Sequence, residues 1–380
     1  MRVLQVTGVY PLPPYGGMEY TLYTVGEHLA RWGAEVRTIA PHPSGTHAEV
    51  QGVEYRGVRA HVISSWIKVP SIAAYRELDR SIRWADVVHV HNPPELFCFL
   101  ASRLARRHRK PLVISVLSPG RLRDHPRPLF RALGAVDELL VTAQLRWADL
   151  VQVKNPIDAT YVRGTTPRGR FLPDGVPDNF FAAPPSAPNL LGSMGWSGRS
   201  PVLLYLGRVH PMKGPDHFVR AAVRLRSQYP NLAALLAGPS SPHMTRDLER
   251  LVRTEGAESY VRIRGPLNED DRLRAFDSAD VVVVPSLADF VEGFSMVSSE
   301  AWARGRPVAA YAVGALRARV REGENGSLAT PGDPVALASA IQRALAIRRP
   351  VPRPSDVVAW ADVARTYREW YRELTGAHAG

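Results

Sequence analysis

Short apolar runs, each followed by a loop and then a helical pattern, recur along the whole chain, and few architectures accommodate that. In the first half Arg2–Thr7, Glu35–Ala40, Val87–Val90, Leu112–Val116 and Leu150–Val153 read as strands. In the second half Val202–Leu206, Leu232–Ala237, Val261–Arg264, Val281–Val284 and Val308–Ala310 do the same. Runs with little polar alternation are strands buried on both faces, as in a parallel sheet sandwiched by helices. Between the first two runs, Leu22, Val25, Leu29 and Trp32 fall at helical spacing, and Gly33 stops the pattern. The alternation predicts an α/β chain built from two Rossmann-like β/α/β domains. In such sheets ligands bind in the loops beyond the carboxyl ends of the strands, which places a ligand between two facing sets of strand ends.

A length of 380 residues suits two domains, each with its own core. Residues 182–201 are rich in Pro, Gly and Ser, so a linker is expected over 184–200, between domains at 1–183 and 201–355. After the prolines of 350–354, Asp356–Leu374 reads as a helix carrying Trp360, Tyr367 and Trp370. Cys98 is the sole cysteine, which excludes an intrachain disulfide and fits a reducing compartment. The first residues do not read as a signal peptide, and no apolar run approaches the ~20 residues that span a bilayer. A cytoplasmic protein is expected. The formal charge is +12, yet only Lys68, Lys110, Lys154 and Lys213 are lysines, and the arginines are scattered along helices. Nucleic acid is therefore not the expected partner. Ala101–Lys110 and Gly120–Gly134 are basic enough for weak association with an anionic membrane, or for solvated helix ends.

Two segments carry chemistry. Val281–Val284 stops at Pro285, and a helix is expected from about Phe294 to Arg304, so that Glu292 in the loop and Glu300 in the helix bracket its N-terminus. Such an end offers free N–H groups and a positive dipole to a phosphate. In Leu203–Ala221, a strand leads into Gly207-Arg208 and, four residues on, Lys213-Gly214. A guanidinium and an ammonium on one loop hold a diphosphate, the first as a fork and the second as a point charge. In the first half, Gly16-Gly17 precede a helix and would let a phosphate approach the backbone. The first strand–helix loop lacks G-x-G-x-x-G, which disfavours a dinucleotide oxidoreductase. No D-x-D pair or metal-ligand spacing is present.

The segment EGFSMVSSEAWARGRPV resembles the E-x7-E signature of the retaining nucleotide-sugar glycosyltransferases of family 4, and the Arg208–Lys213 loop resembles their GR-x4-KG pattern. LPDGVPDNFF, DVVHVHNPP, ADVVVVPS and REGENGSLATPGD also resemble that family. The resemblance implies the GT-B fold, with the domains facing across a cleft and the final helix (356–376) crossing back to the first. It implies Arg208, Lys213 and Glu292 as catalytic residues. Donor binding would involve Gly16, Gly17, Arg208, Lys213, Arg264, Leu267, Glu292, Gly293, Phe294, Ser295, Met296 and Glu300. Glu292 would orient the sugar, Glu300 would accept from the ribose, and the base would lie against Arg264–Leu267. Glu19, His91, Asn92 and Ser118 are acceptor-side candidates, with His89 read as structural and His91 as facing the cleft. The expected reaction moves a hexose from a UDP- or GDP-sugar, with no metal or other cofactor, to a small polar or specialised-metabolite acceptor. An envelope lipid or glycan is the alternative acceptor, and a non-catalytic nucleotide-sugar binder the alternative class. Three departures bear on the donor. Leu117-Ser118 stand where the family carries a histidine, Gly314-Ala315 replace a Gly-Gly pair, and Ala318 replaces an acid.

Overall fold

The computed structural model describes residues 1–14, 16–62, 68–91, 95–116, 128–182 and 190–376. The chain divides into two units, Met1–Asp174 joined by the segment from Trp360 onward, and Gly175–Ala359.

The first unit begins with β1 (Arg2–Thr7), α1 (Gly17–Arg31) and β2 (Glu35–His42). It continues through β3 (Thr46–Val50), β4 (Val53–Val62), β5 (Lys68–Pro70), α2 (Ile72–Trp84), β6 (Val87–His91) and α3 (Leu96–Arg107). Then come β7 (Leu112–Ser115), α4 (Pro128–Trp147), β8 (Leu150–Val153), α5 (Pro156–Arg163) and β9 (Gly169–Phe171). The strands lie in the order β3-β4-β2-β1-β6-β7-β8-β9, with β5 on β4. The central pairs are parallel, and β1 is buried from Val3 to Thr7, as a strand covered on both faces must be. Leu22, Val25 and Leu29 of α1 are fully buried, one stripe of an amphipathic helix.

In the second unit a 3₁₀ turn at Asp178–Phe181 leads to α6 (Leu190–Ser193), β10 (Val202–Leu206), α7 (Pro215–Leu225), β11 (Ala233–Ala237) and α8 (Pro242–Thr254). Next are β12 (Val261–Arg264), α9 (Glu269–Ser278), β13 (Val281–Val284), α10 (Met296–Ala303), β14 (Val308–Tyr311) and α11 (Leu316–Arg319), then β15 (Gly326–Ala329) and α12 (Pro334–Leu345). The strand order is β12-β11-β10-β13-β14-β15, parallel throughout. The last helix, α13 (Trp360–Thr375), belongs to the first unit. Its buried Trp360, Val363, Ala364, Tyr367, Trp370 and Tyr371 repeat at helical spacing, and Trp360 meets Tyr20 of α1 with ring centres 6.1 Å apart.

Several expectations shift. The linker expected over 184–200 is not a separate connector in its described part, because Leu190 and Trp196 are buried in the second unit's core and the units divide at Asp174/Gly175. The hairpin strands β3 and β4 and the short β15 were not anticipated. β3 and β4 interleave charged residues with apolar ones at a sheet edge, so no apolar run announces them. No helix among the described residues is long and apolar enough to cross a membrane.

Candidate functional site

In the second unit the carboxyl ends of β10, β11, β12 and β13 are brought level by their parallel register. Backbone bonds continue past the strands, Gly207 N–H to the Ala237 carbonyl (3.1 Å) and Gly238 N–H to that of Arg264 (3.2 Å). Two loops rise from this edge. The loop after β10 carries Arg208, which is exposed and makes no ion pair among the described residues, and ends in a 3₁₀ turn at Pro211–Lys213. Gly214 follows at φ 62°, and a Cβ there would stand 2.2 Å from the Pro285 carbonyl oxygen, so only glycine fits. The loop after β13 is tied to the first by Leu287 N–H donating to the Met212 carbonyl at 2.9 Å.

That contact sets Lys213 beside Glu292. Lys213 Nζ lies 2.6 Å from Glu292 Oε1, and Ser286 Oγ donates to the same oxygen at 2.5 Å. Glu292 is 3% exposed, whereas the lysine side chain keeps 23% of its surface. Gly314, at φ 48°, backs this turn. A Cβ there would come within 2.4 Å of the Glu292 carbonyl oxygen, and the Ala315 N–H donates to that oxygen at 2.9 Å. Ala315 itself has helical dihedrals, so the Gly-to-Ala departure leaves the backbone undisturbed.

The helix α10 begins at Met296, two residues later than expected, because Ser295 holds a left-handed conformation (φ 68°) as its cap. A non-glycine residue in that region is strained and needs external support. Arg319 supplies it, donating to the Phe294 carbonyl at 2.6 Å and to Ser299 Oγ at 2.8 Å while anchored to Asp356 at 2.7 Å. Its guanidinium also lies 3.9 Å over the Phe294 ring. Gly293, Phe294 and Ser295 are thereby packed under the first turn of α10, whose leading N–H groups have no acceptor within the helix. Glu300 sits fully buried within that helix, paired through Oε1 with Arg272 of α9. Among the described residues its Oε2 has no hydrogen-bond partner, and burial, only partly offset by Arg272, pushes its pKa up. Arg264 is exposed at the end of β12, and Leu267 packs half-buried against the core.

This edge can hold an anion between Arg208, Lys213 and the α10 amides, with one carboxylate at each side. Ser286, Arg272 and Arg319 were missed in the sequence, since each meets its partner only through tertiary folding.

In the first unit Gly16 caps α1 with extended dihedrals, Gly17 opens the helix, and Glu19 lies in its first turn. A Cβ at Gly16 would fall 2.4 Å from a Glu19 carboxylate oxygen. His91 is not the open group expected. Both His89 and His91 are buried, with ring centres 3.8 Å apart, because α13 covers this face of the sheet. Ser115 Oγ donates to Gln152 Oε1 and so accepts from His89 Nε2 at 2.7 Å, and His89 Nδ1 accepts from the Tyr371 hydroxyl at 2.6 Å. Burial, reinforced by the charge of Lys154, depresses the His89 pKa to about 3. Burial also drives the His91 pKa well down, and its Nε2 has no hydrogen-bond partner among the described residues. Asn92 and Ser118, with the Leu117 departure, lie outside the described residues. Among the described residues no three His, Cys, Asp or Glu side chains cluster as a metal site would require.

The family 4 glycosyltransferase model matches residues 15–165, and the model for glycosyl transferases group 1 matches residues 200–346. A D-inositol 3-phosphate glycosyltransferase of Xylanimonas cellulosilytica is 29% identical over 367 residues, covering 87% of this chain and 84% of its own. Among solved structures, sucrose-phosphate synthase from Thermosynechococcus elongatus superposes with a TM-score of 0.75 at 23% identity over the whole of both chains. Anabaena HepE, crystallised with UDP and glucose, gives 0.72 at 18% identity over 98% of this chain and 100% of that one. At such identities the structural likeness speaks for the fold alone, and that fold is GT-B. With both halves of its sequence matched, the chain belongs to glycosyltransferase family 4 and is a sugar-transferring enzyme of the GT-B fold.

Proposed function

We propose that the enzyme is a retaining hexosyltransferase that takes its sugar from a nucleoside diphosphate donor, UDP before GDP, and delivers it to a hydroxyl of a cyclitol-like or other small polar acceptor. The observation that carries the reading is the Lys213–Glu292 pair at the N-terminal end of α10, with Arg208 unpaired on the same strand edge. Arg208, Lys213 and the amides near Ser295 would neutralise the departing diphosphate, a role for preorganised donors that needs no cation. Glu292 would orient the sugar hydroxyls, and Glu300 would accept from the ribose. The departing phosphate would take the acceptor's proton as the new bond forms on the same face of the sugar. The X. cellulosilytica relative is named for a phosphorylated cyclitol acceptor, and HepE was crystallised with UDP and glucose, which favours that acceptor class and that donor. Exposed Val136 and Leu139 on α4 favour a second reading, a lipid or envelope-glycan acceptor met at a membrane surface.

The test is a thermal-shift screen of UDP-, GDP-, ADP- and dTDP-sugars with and without chelator. It is followed by turnover on inositol 3-phosphate and on lipid vesicles, with the anomeric configuration of the product read by NMR. A chelator-resistant shift with one nucleotide and a product of retained configuration are expected. Inversion, or full turnover by Glu292→Ala, would overturn the mechanism.

A further inference from the structure

Arg272 stands outside every motif that marks the site, yet it is the partner that the buried Glu300 has. It projects from α9, the helix that begins directly after the Arg264–Leu267 loop and is started by Asn268 capping the Asp271 N–H at 2.8 Å. Ala275 and Phe276 of the same helix are buried, and Phe276 packs edge-on against Phe180 at 5.4 Å, so the helix is fixed in place. From it Arg272 reaches across to Oε1 of Glu300, a carboxylate with no exposed surface, while Oε2 has no hydrogen-bond partner among the described residues. Arg272 retains 23% of its own side-chain surface.

We propose that Arg272 is a positioning residue of the nucleotide site, one that keeps Glu300 ionised and turned so that Oε2 stays available to a hydroxyl of the bound nucleotide. The inference rests on the donor site described above. The physical need is plain. A lone carboxylate this deeply buried takes up a proton and ceases to be a pure acceptor, and a guanidinium on one oxygen opposes this without occupying the other. Other charged groups around α10 are already committed. Arg304, a turn further on, pairs with Asp277, and Arg319, at the neighbouring Ser299, pairs with Asp356. The 3₁₀ turn packed on α10 contributes Asp178, and β13 and β14 contribute no charge. Arg272 therefore sets the charge of Glu300, and because it rides on the helix next to the base loop, it couples the base and ribose ends of the site.

The experiment is calorimetric titration of UDP and GDP into the wild type and into Arg272→Met, Arg272→Lys, Glu300→Gln and the Arg272→Met/Glu300→Gln double variant, from pH 5.5 to 8.5, each checked for an intact melting transition. Affinities are read relative to the wild type at each pH, because the terminal phosphate of the ligand itself titrates near pH 6. Arg272→Met should bind about tenfold or more weakly at pH 6.5 and recover as pH rises, by up to about tenfold per pH unit as Glu300 ionises. The double variant should be weak and flat, and the lysine variant should restore most of the wild-type profile. A methionine variant that binds as the wild type does, or that is weaker at every pH by the same factor, overturns the positioning role. Should the methionine variant not fold, Arg272→Gln takes its place: weak binding at pH 6.5 that recovers as pH rises supports the role, and binding like the wild type's or weaker by one factor at every pH overturns it. A wild type that binds neither diphosphate overturns the donor site itself, and this inference falls with it.

Discussion

Lys154–Asp174 in the first unit and Lys213–Glu292 in the second are lysine–carboxylate pairs at the carboxyl edges of their sheets, and the two differ in their access to water. In the first unit Lys154 Nζ meets Asp174 Oδ1 at 2.7 Å, with the two side chains 4% and 5% exposed and Thr21 Oγ1 donating to the same oxygen at 3.0 Å. In the second, Lys213 and Glu292 are 2.6 Å apart, with the acid sealed and the lysine open. Geometry at the ions is nearly the same, so distance does not separate structure from function. What separates them is whether the cation can still meet something from outside. A sealed pair is worth most when both members are present and little compared with an apolar replacement. An open one keeps its charge available to a ligand.

The comparison can be broken in order of expected effect. Lys154→Ala should destabilise the first unit by about 3–5 kcal/mol, because it strands a buried carboxylate, whereas the Lys154→Met/Asp174→Leu pair should recover most of that loss. Urea melts of the three proteins decide it. Lys213→Ala should lower kcat by about 10²–10³ while moving the melting transition far less, the signature of a charge used on the leaving group. If its melting falls as far as that of Lys154→Ala, the contrast fails.

The same contrast extends to pH. His89 has a folded pKa of about 3 against 6.5 unfolded, so the unfolded chain binds more protons below pH 6.5. Its contribution is complete above pH 6.5 and is lost as pH falls toward 3, by up to about 1.4 kcal/mol per pH unit. His91 shifts in the same direction. Glu300 runs the other way, since its raised pKa gives a contribution present below about 4.5, its unfolded value, and lost as pH rises through the folded pKa. Acid should therefore weaken the first unit before the second, and melts between pH 4.5 and 7.5 should show His91→Gln with the shallower slope. The smallest effect is expected of Tyr371→Phe, about 1–2 kcal/mol from leaving His89 Nδ1 without its donor.

The legibility of the two units differs for the same reason. Runs such as Val281–Val284 announce buried strands because nothing polar interrupts them, and the glutamates and the Arg208–Lys213 loop are visible because they are close in sequence. The first unit hides more. Gln5, His89, Ser115 and Gln152 lie on the adjacent strands β1, β6, β7 and β8 and look, one by one, like polar residues that ought to face solvent. The covering helices explain their burial, α1 over Gln5 and α13, through Tyr371 and Tyr367, over His89 and Ser115. His91 was misread for that reason. Arg272 and Arg319 were invisible because their partners stand 28 and 37 residues away, beyond any local pattern.

The chain departs from the first unit after Asp174 and returns only at Trp360, so the whole second unit is inserted within the first. Synthesis on the ribosome is vectorial, and domains tend to fold as they emerge. The first unit's sheet is complete early, yet the buried His89 and Ser115 have no lid until the final segment has been made. The second unit can close around its own core in the interval. A nascent chain halted before Trp360 would thus hold a finished second unit and an unfinished first one, and loss of the last helix should appear as a folding defect at the opposite end of the sequence.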